Sequence, residues 1–256
     1  MFLRLARAGQ TTQTINDKFG QAVTVTTTPS ITSGIKIYFS FEESSGNIVN
    51  QALSSSGFPN GLGNASDGVA SGDPTYSQTG KIDDAISYDG AGDFFTLGSD
   101  KSNFKFLNNG SNFTIAFWLK RNDTANELQG IFGTGEGGST IGMVVRLDGT
   151  NNQLEIKIED GTGESSYIFS SNNYVPNNTT TYYYYIITFD GSDGTWNIYK
   201  DNANNESNTA DLDWSTSNPT NLPRVGDELD TGGVNELNGL LDELVVFDRI
   251  ITSDER

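Results

Sequence analysis

Cysteine and histidine are both absent from this 256-residue chain. Without cysteine there is no disulfide and no thiolate chemistry, so stability does not rest on covalent links. Without histidine, the commonest general base and the commonest transition-metal ligand are missing, which excludes nucleophilic triads and dyads of the usual kinds. Basic residues are scarce as well. Lys and Arg number 15 against 33 Asp and Glu, for a net charge of −18, and a polyanion such as nucleic acid would be repelled. No apolar run approaches the length of a bilayer span, so no membrane insertion is expected. The stretch Met1 to Gln10 lacks the apolar core of a secretory signal.

What is present reads as strand. Ile35, Ile37, Phe39 and Phe41 alternate on one face, as do Phe113, Ile115, Phe117 and Leu119, with Trp118 on the other. Tyr182 to Phe189 is dense enough in β-formers for a central strand, and Trp196 to Lys200 pairs back across Asp190-Gly191-Ser192-Asp193-Gly194. Ile86 and Tyr88, then Phe95 and Leu97, alternate on either side of Asp89-Gly90-Ala91-Gly92-Asp93. Glycine at positive φ turns the chain there, so the two runs form a hairpin or neighbouring strands of a sandwich. No stretch reads as a long helix. The spacing supports about twelve to fourteen short strands in two sheets, and Ser54 to Gln78 reads as a long surface excursion.

Four segments carry a family resemblance, in order. Gly80 to Gly98 resembles the "GK…ALSFDG…DYV.L" signature of laminin-G-like, concanavalin A-like jelly-roll domains. Phe113-Thr114-Ile115-Ala116-Phe117-Trp118-Leu119-Lys120 resembles the family's "FTISFWVK" strand. Tyr185 to Gly191 with Trp196 to Asn202 is similar to "W..VA.TYDG….LYVDG", and Asn238 to Arg249 to "F.G.IDEVRIYNRAL". The resemblance implies an all-β, two-sheet antiparallel jelly-roll sandwich over residues 34–256, preceded by an extended arm, residues 1–33. That fold hosts lectins, hydrolases, adhesins and structural modules alike. Such domains usually close with a short helix of the "S.EEI..LY" type, whereas Thr252 to Arg256 has the capping start and stops, as in a truncated chain or one whose edge a neighbour completes.

Similar domains often hold one structural Ca²⁺, which takes hard oxygen ligands. The resemblance places it on Glu43, Asn47 and Asp242, with Asp89 and Asp93 as outside candidates. Glycan binding needs an aromatic platform beside polar groups. Trp118 and Trp196 read as packing residues, and Trp214, in the polar loop Asp211 to Ser215, as the exposed platform. Glucanases of this fold carry Glu-x-Asp-x-(x)-Glu on one strand. Here Glu155 and Glu159 share a strand face with Lys157 between them, as on a solvated surface, so no catalytic pair is assigned.

Arg4, Arg7 and Lys18 against Asp17 give residues 1–33 a charge of +2, leaving −20 for the rest. The arm is either a plain terminus or an assembly segment that joins a second copy or another assembly protein, in part through the strand-like Gln21 to Thr27. The expected function is a non-catalytic structural or surface module of an extracellular assembly, a virion decoration or tail protein first, with glycans as a partner. A cell-surface carbohydrate-binding adhesin and a glycoside hydrolase are the alternatives.

Overall fold

The structure, a computed structural model, describes residues 15–16, 22–23, 31–122, 127–135, 140–162, 165–176, 180–202, 204–209, 214–229 and 235–256. Strands β1 (Ile15–Asn16) and β2 (Ala22–Val23) pair antiparallel within the arm; the rest of the expected strand Gln21 to Thr27 lies outside the described residues. The body runs through β3 (Ile35–Phe39), β4 (Gly68–Ser71), β5 (Thr75–Thr79), β6 (Asp84–Asp89), β7 (Phe94–Leu97), β8 (Phe113–Arg121), β9 (Leu128–Gly133) and β10 (Ile141–Asp148). It continues with β11 (Gln153–Asp160), β12 (Ser165–Phe169), β13 (Tyr183–Asp190), β14 (Thr195–Lys200), β15 (Asn204–Thr209), β16 (Arg224–Val225) and β17 (Asn238–Phe247). One sheet has the order β12-β11-β10-β9-β16-β7-β4, and the other β15-β14-β13-β8-β17-β6-β5 with β3 also on β17. All pairings are antiparallel, so the expected sandwich is present.

The alternation that defines the strands also defines the interior. Phe113, Ile115 and Phe117 from β8, Tyr185 and Ile187 from β13, and Leu154, Ile156 and Ile158 from β11 are buried in one cluster between the sheets. Ring contacts tie the layers, as Tyr88 of β6 against Phe95 of β7 at 6.1 Å, edge on. Four elements, among others, were not read from the sequence. Strands β4 and β5 occupy the supposed excursion from Ser54 to Gln78, as edges of the two sheets. Two-residue β16 is too short to show alternation, and with it the body holds more strands than the expected range. Residues Lys101–Leu107 form a 3-10 turn capped by Asp100, which buries Phe104 and Leu107.

The turn at Asp89 to Asp93 crosses between sheets, since β6 and β7 belong to different ones. Gly90 and Gly92 take φ of 84° and 86° there, the left-handed region that favours glycine. A second irregularity lies in β17. Its first half pairs with β6 and its second with β3, and the register against β8 shifts between Asp242 and Val245. Glu243 takes φ of 53° in this bulge. Among the described residues no helix is long and apolar enough to cross a membrane.

Candidate functional site

The outward side chains of the seven-stranded sheet form the first candidate. On β11, Leu154, Ile156 and Ile158 face the interior, so Glu155, Lys157 and Glu159 face out. A solvated face was expected; the structure corrects this, because all three are buried. Mutual pairing offsets the cost of burying these charges. Arg146, opposite Glu155 in register, donates Nη2 to Glu155 Oε1 at 2.6 Å and Nη1 to Glu228 Oε2 at 2.7 Å. Lys157 Nζ stands 2.6 Å from Glu159 Oε1 and 5.6 Å from the centre of the Tyr167 ring. Glycine makes room for this arrangement. A Cβ on Gly130 would lie 2.0 Å from Glu228 N, so the segment carrying Glu228 rests on bare backbone of β9 and delivers its carboxylate to Arg146.

At the margin of this row, on edge strand β12, Tyr167 and Phe169 are each 45 % exposed. Their rings are 6.1 Å apart and within 10° of parallel. Ile168 between them is buried, so both aromatics share the outward face. The sequence reading missed this pair. Its signal was the aromatic-apolar-aromatic alternation of Tyr167-Ile168-Phe169.

The carboxylates of this row are engaged in ion pairs. Two-carboxylate hydrolysis needs a neutral acid and a free carboxylate facing a cleft. Glu155, Glu159 and Glu228 each meet an arginine or lysine instead.

The acidic residues expected to hold calcium fall in two places. Glu43 and Asn47 belong to the turn after β3. Glu43 Oε1 accepts from Val49 N at 2.9 Å, and Asn47 Oδ1 accepts from Ala70 N on β4 at 3.4 Å. Asp242 stands on the outward face of the eight-stranded sheet, opposite Trp118. Its Oδ2 accepts from Lys81 N and Ile82 N, both at 2.8 Å, which fixes the turn between β5 and β6. Burial pushes its carboxyl up to about 7, with Glu42 nearby adding to the rise. Glu243, also buried and beside Asp242 and Glu42, is likewise pushed up to about 7. Two carboxylate oxygens of the expected set, Glu43 Oε2 and Asp242 Oδ1, are buried without a hydrogen-bond partner, which suits a cation ligand; the Asn47 oxygen is already engaged. The outside candidates Asp89 and Asp93 do meet, joined by Asp73, with one carboxylate oxygen of each within 4.8 Å of the others. Asp93 there accepts from Asp73 N at 2.7 Å and Asp89 N at 3.3 Å.

Trp214, expected as an exposed platform, is half-buried. Its ring lies 4.6 Å from that of Phe189 and 6.4 Å from that of Trp196, so part of its surface is spent on the core. Asp211 to Asp213 lie outside the described residues. Trp196 is fully buried, and Trp118 is buried on the outward face of its sheet, packed on Tyr184 at 4.9 Å.

The sequence model of the concanavalin A-like lectin/glucanases superfamily matches residues 89–255. No curated protein matches the chain. Among solved structures, the receptor binding domain of botulinum neurotoxin C/D mosaic serotype is similar with a TM-score of 0.60 at 13 % identity, covering 87 % of this chain and 49 % of that one. A structure described by the dependence of botulinum neurotoxin type C cell entry on two ganglioside molecules gives 0.57 at 11 %, covering 87 % and 49 %. The binding domain of botulinum neurotoxin DC in complex with rat synaptotagmin II gives 0.61 at 10 %, covering 87 % and 50 %. This chain thus spans about half the length of these structures, and at such identities the likeness is one of fold.

Proposed function

The chain belongs to the concanavalin A-like lectin/glucanases superfamily, and on that premise we propose that it is a non-catalytic carbohydrate-binding module on the surface of an extracellular assembly, a virion first among them. One observation carries this reading. The outward row of the seven-stranded sheet clamps its carboxylates in ion pairs, while Tyr167 and Phe169 beside it stay exposed as parallel rings. Sugar rings stack their C–H faces on such aromatics, and neighbouring polar groups orient the hydroxyls. The net charge of −18 disfavours sialylated, sulfated or uronic chains, so the ligand class is neutral glycan. Ganglioside and synaptotagmin binding belong to the neurotoxin domains, and support only the general idea that this sandwich carries recognition surfaces.

A structural calcium ion belongs to the same proposal. The unpartnered oxygen Asp242 Oδ1 supports it, as does the crowding of Glu42, Asp242 and Glu243, which a divalent cation would relieve. The setting on an assembly rests on the acidic charge and the Asn-, Ser-, Thr- and Gly-rich sequence. Recovery of the chain from purified particles would test it.

The site is tested by affinity electrophoresis on neutral polysaccharides, beside an array of neutral and anionic glycans. Wild-type chain should bind neutral glycans, and the Tyr167→Ala/Phe169→Ala double variant should lose about tenfold or more in affinity, roughly 1.4 kcal/mol. A wild type that binds no glycan defeats the reading. Binding that survives the double substitution moves the site elsewhere, and release of reducing sugar would make the chain an enzyme.

A further inference from the structure

A sheet ends in strands whose outer N–H and C=O groups have no ladder, and chains blunt such edges with cover, bulges or charge. This sandwich does so at β3, β4, β5 and β15. The outer side of β3 is covered, since Gln51 N donates to Tyr38 O at 2.9 Å and Leu62 N to Lys36 O at 3.0 Å. That of β4 is covered by Ile48, which exchanges backbone bonds with Gly68 at 2.9 and 2.8 Å, and by Asn47. Strand β5 is broken by a register shift between Thr75 and Gln78, with Ser77 at a φ of 51°. Strand β15 reads Asn-Asn-Glu-Ser-Asn-Thr, polar throughout and charged at Glu206.

Strand β12 has none of these devices. It ends the order of the seven-stranded sheet, and among the described residues no strand pairs with its outer side. Ser165-Ser166-Tyr167-Ile168-Phe169 carries no charge and no proline, and its register on β11 is unbroken. Just beyond, in continuation of that register, Ser170 N donates to Leu154 O at 2.9 Å. Bonded and non-bonded pairs alternate along an antiparallel ladder. Ser166 and Ile168 therefore turn their backbone groups to β11, while Ser165, Tyr167 and Phe169 turn theirs to the open side. Two of those three also carry the exposed rings.

We propose that β12 pairs antiparallel with β12 of a second copy, around a two-fold axis at Tyr167. In that register Ser165 meets Phe169, Tyr167 meets its own counterpart, and every open backbone group of the strand gains a partner. A second copy is the occupant this edge fits. The strand offers a charged partner nothing to match, whereas a two-fold makes it complementary to itself. The axis stands perpendicular to the sheet, so the rings of both copies stay on one outward face. A pairing of five-residue strands is small beside the ~800 Å² per partner of a stable interface, and two chains of net charge −18 repel each other. The dimer is accordingly weak and reversible, and salt strengthens it by screening. The inference does not rest on the glycan reading, because it uses the backbone edge of the strand.

Sedimentation equilibrium of the full chain at rising concentration should show monomers passing reversibly into dimers, more readily in high salt. Tyr167→Lys sets two like charges opposite each other at the axis and should weaken the dimer about tenfold or more. Ser165→Pro removes an open-side N–H, is tolerated on an edge strand, and leaves both rings in place. It should weaken the dimer by a similar factor while glycan binding persists, so the two readings fail separately. The absence of cysteine allows a test of the register. Tyr167→Cys should oxidise to a disulfide-linked dimer, because Cα atoms across such a pair lie about 5.5 Å apart. Phe169→Cys should link to Ser165→Cys when the two are mixed, and not to itself. A chain that stays monomeric at every concentration overturns the proposal. So does a dimer indifferent to both Tyr167→Lys and Ser165→Pro, or one in which Phe169→Cys links to itself and Tyr167→Cys does not.

Discussion

Trp118 and Tyr167 occupy equivalent kinds of position, outward-facing sites on strands of the two sheets, yet Trp118 is 5 % exposed and Tyr167 45 %. Their surroundings account for the difference. On the eight-stranded side, apolar residues lie opposite one another across β13, β8 and β17, so that face gains from cover in the way a core does. On the seven-stranded side the central rows are charged, and Arg146 and Lys157 neutralise Glu155, Glu228 and Glu159 in place. The central rows of both sheets are buried, Arg146, Glu155, Lys157 and Glu159 as much as Trp118, and the aromatics at the edge of the seven-stranded sheet are left to the solvent. One outward face thus buries an apolar cluster, and the other buries charge in pairs beside an exposed pair of rings.

The largest test of that contrast is Arg146→Ala. It would leave Glu155 and Glu228 buried without their arginine, and should cost about 3–5 kcal/mol in denaturant unfolding. Replacing Arg146, Glu155 and Glu228 together by apolar residues should restore most of the loss, since such clusters specify geometry more than they stabilise. On the other face, Ile186→Ala deletes fully buried apolar volume. Its expected cost is smaller, about 2–3 kcal/mol, because a lid can settle into the space more readily than an interior can. A cost for Ile186→Ala below about 0.5 kcal/mol would mean that the eight-stranded face is not packed as a core.

The same contrast marks what could be read in advance. The interior alternation of Phe113 to Leu119 and of Leu154 to Ile158 was legible, because period two is a local property of the chain. So was the outward direction of Trp118. The exposure of outward residues was not legible, because it depends on partners far away in sequence. Glu155 reads as solvated until Arg146 is placed opposite it and Glu228, 73 residues later in number, is brought across Gly130. Trp214 reads as exposed for the same reason, although Phe189 and Trp196 draw it in. The calcium set was assigned by likeness of motif, and three-dimensional placement divides it between the turn after β3 and the β17 bulge.

Metal removal bears on that bulge, where the acidic border and the apolar face meet. With calcium bound only to the native state, excess chelator should remove about 1–2 kcal/mol and lower the melting temperature by about 2–8 °C. Asp242→Asn should abolish that response, while Asp93→Asn should leave it. If Asp93→Asn removes it instead, the ion belongs to the Asp73, Asp89 and Asp93 group. An unchanged melting curve, with no metal by elemental analysis, ends the calcium proposal.

The smallest expected effect is the most diagnostic. Tyr167→Ala and Phe169→Ala should each change stability by no more than about 0.5 kcal/mol, because exposed side chains lose little on truncation. The contacts they give up are those with each other and, for Tyr167, with Lys157 across the strands. Lys157 would retain Glu159 as its counter-charge. Solvent-exposed aromatic pairs of this kind are maintained at the cost of exposed apolar surface on an uncharged edge strand, Ser165-Ser166-Tyr167-Ile168-Phe169, which also invites edge-to-edge pairing. Unchanged unfolding curves together with weakened glycan binding would assign that surface to recognition. A loss above about 1 kcal/mol from either single substitution would instead make the pair a structural cap on β11, and the two outward faces would differ in degree and not in kind.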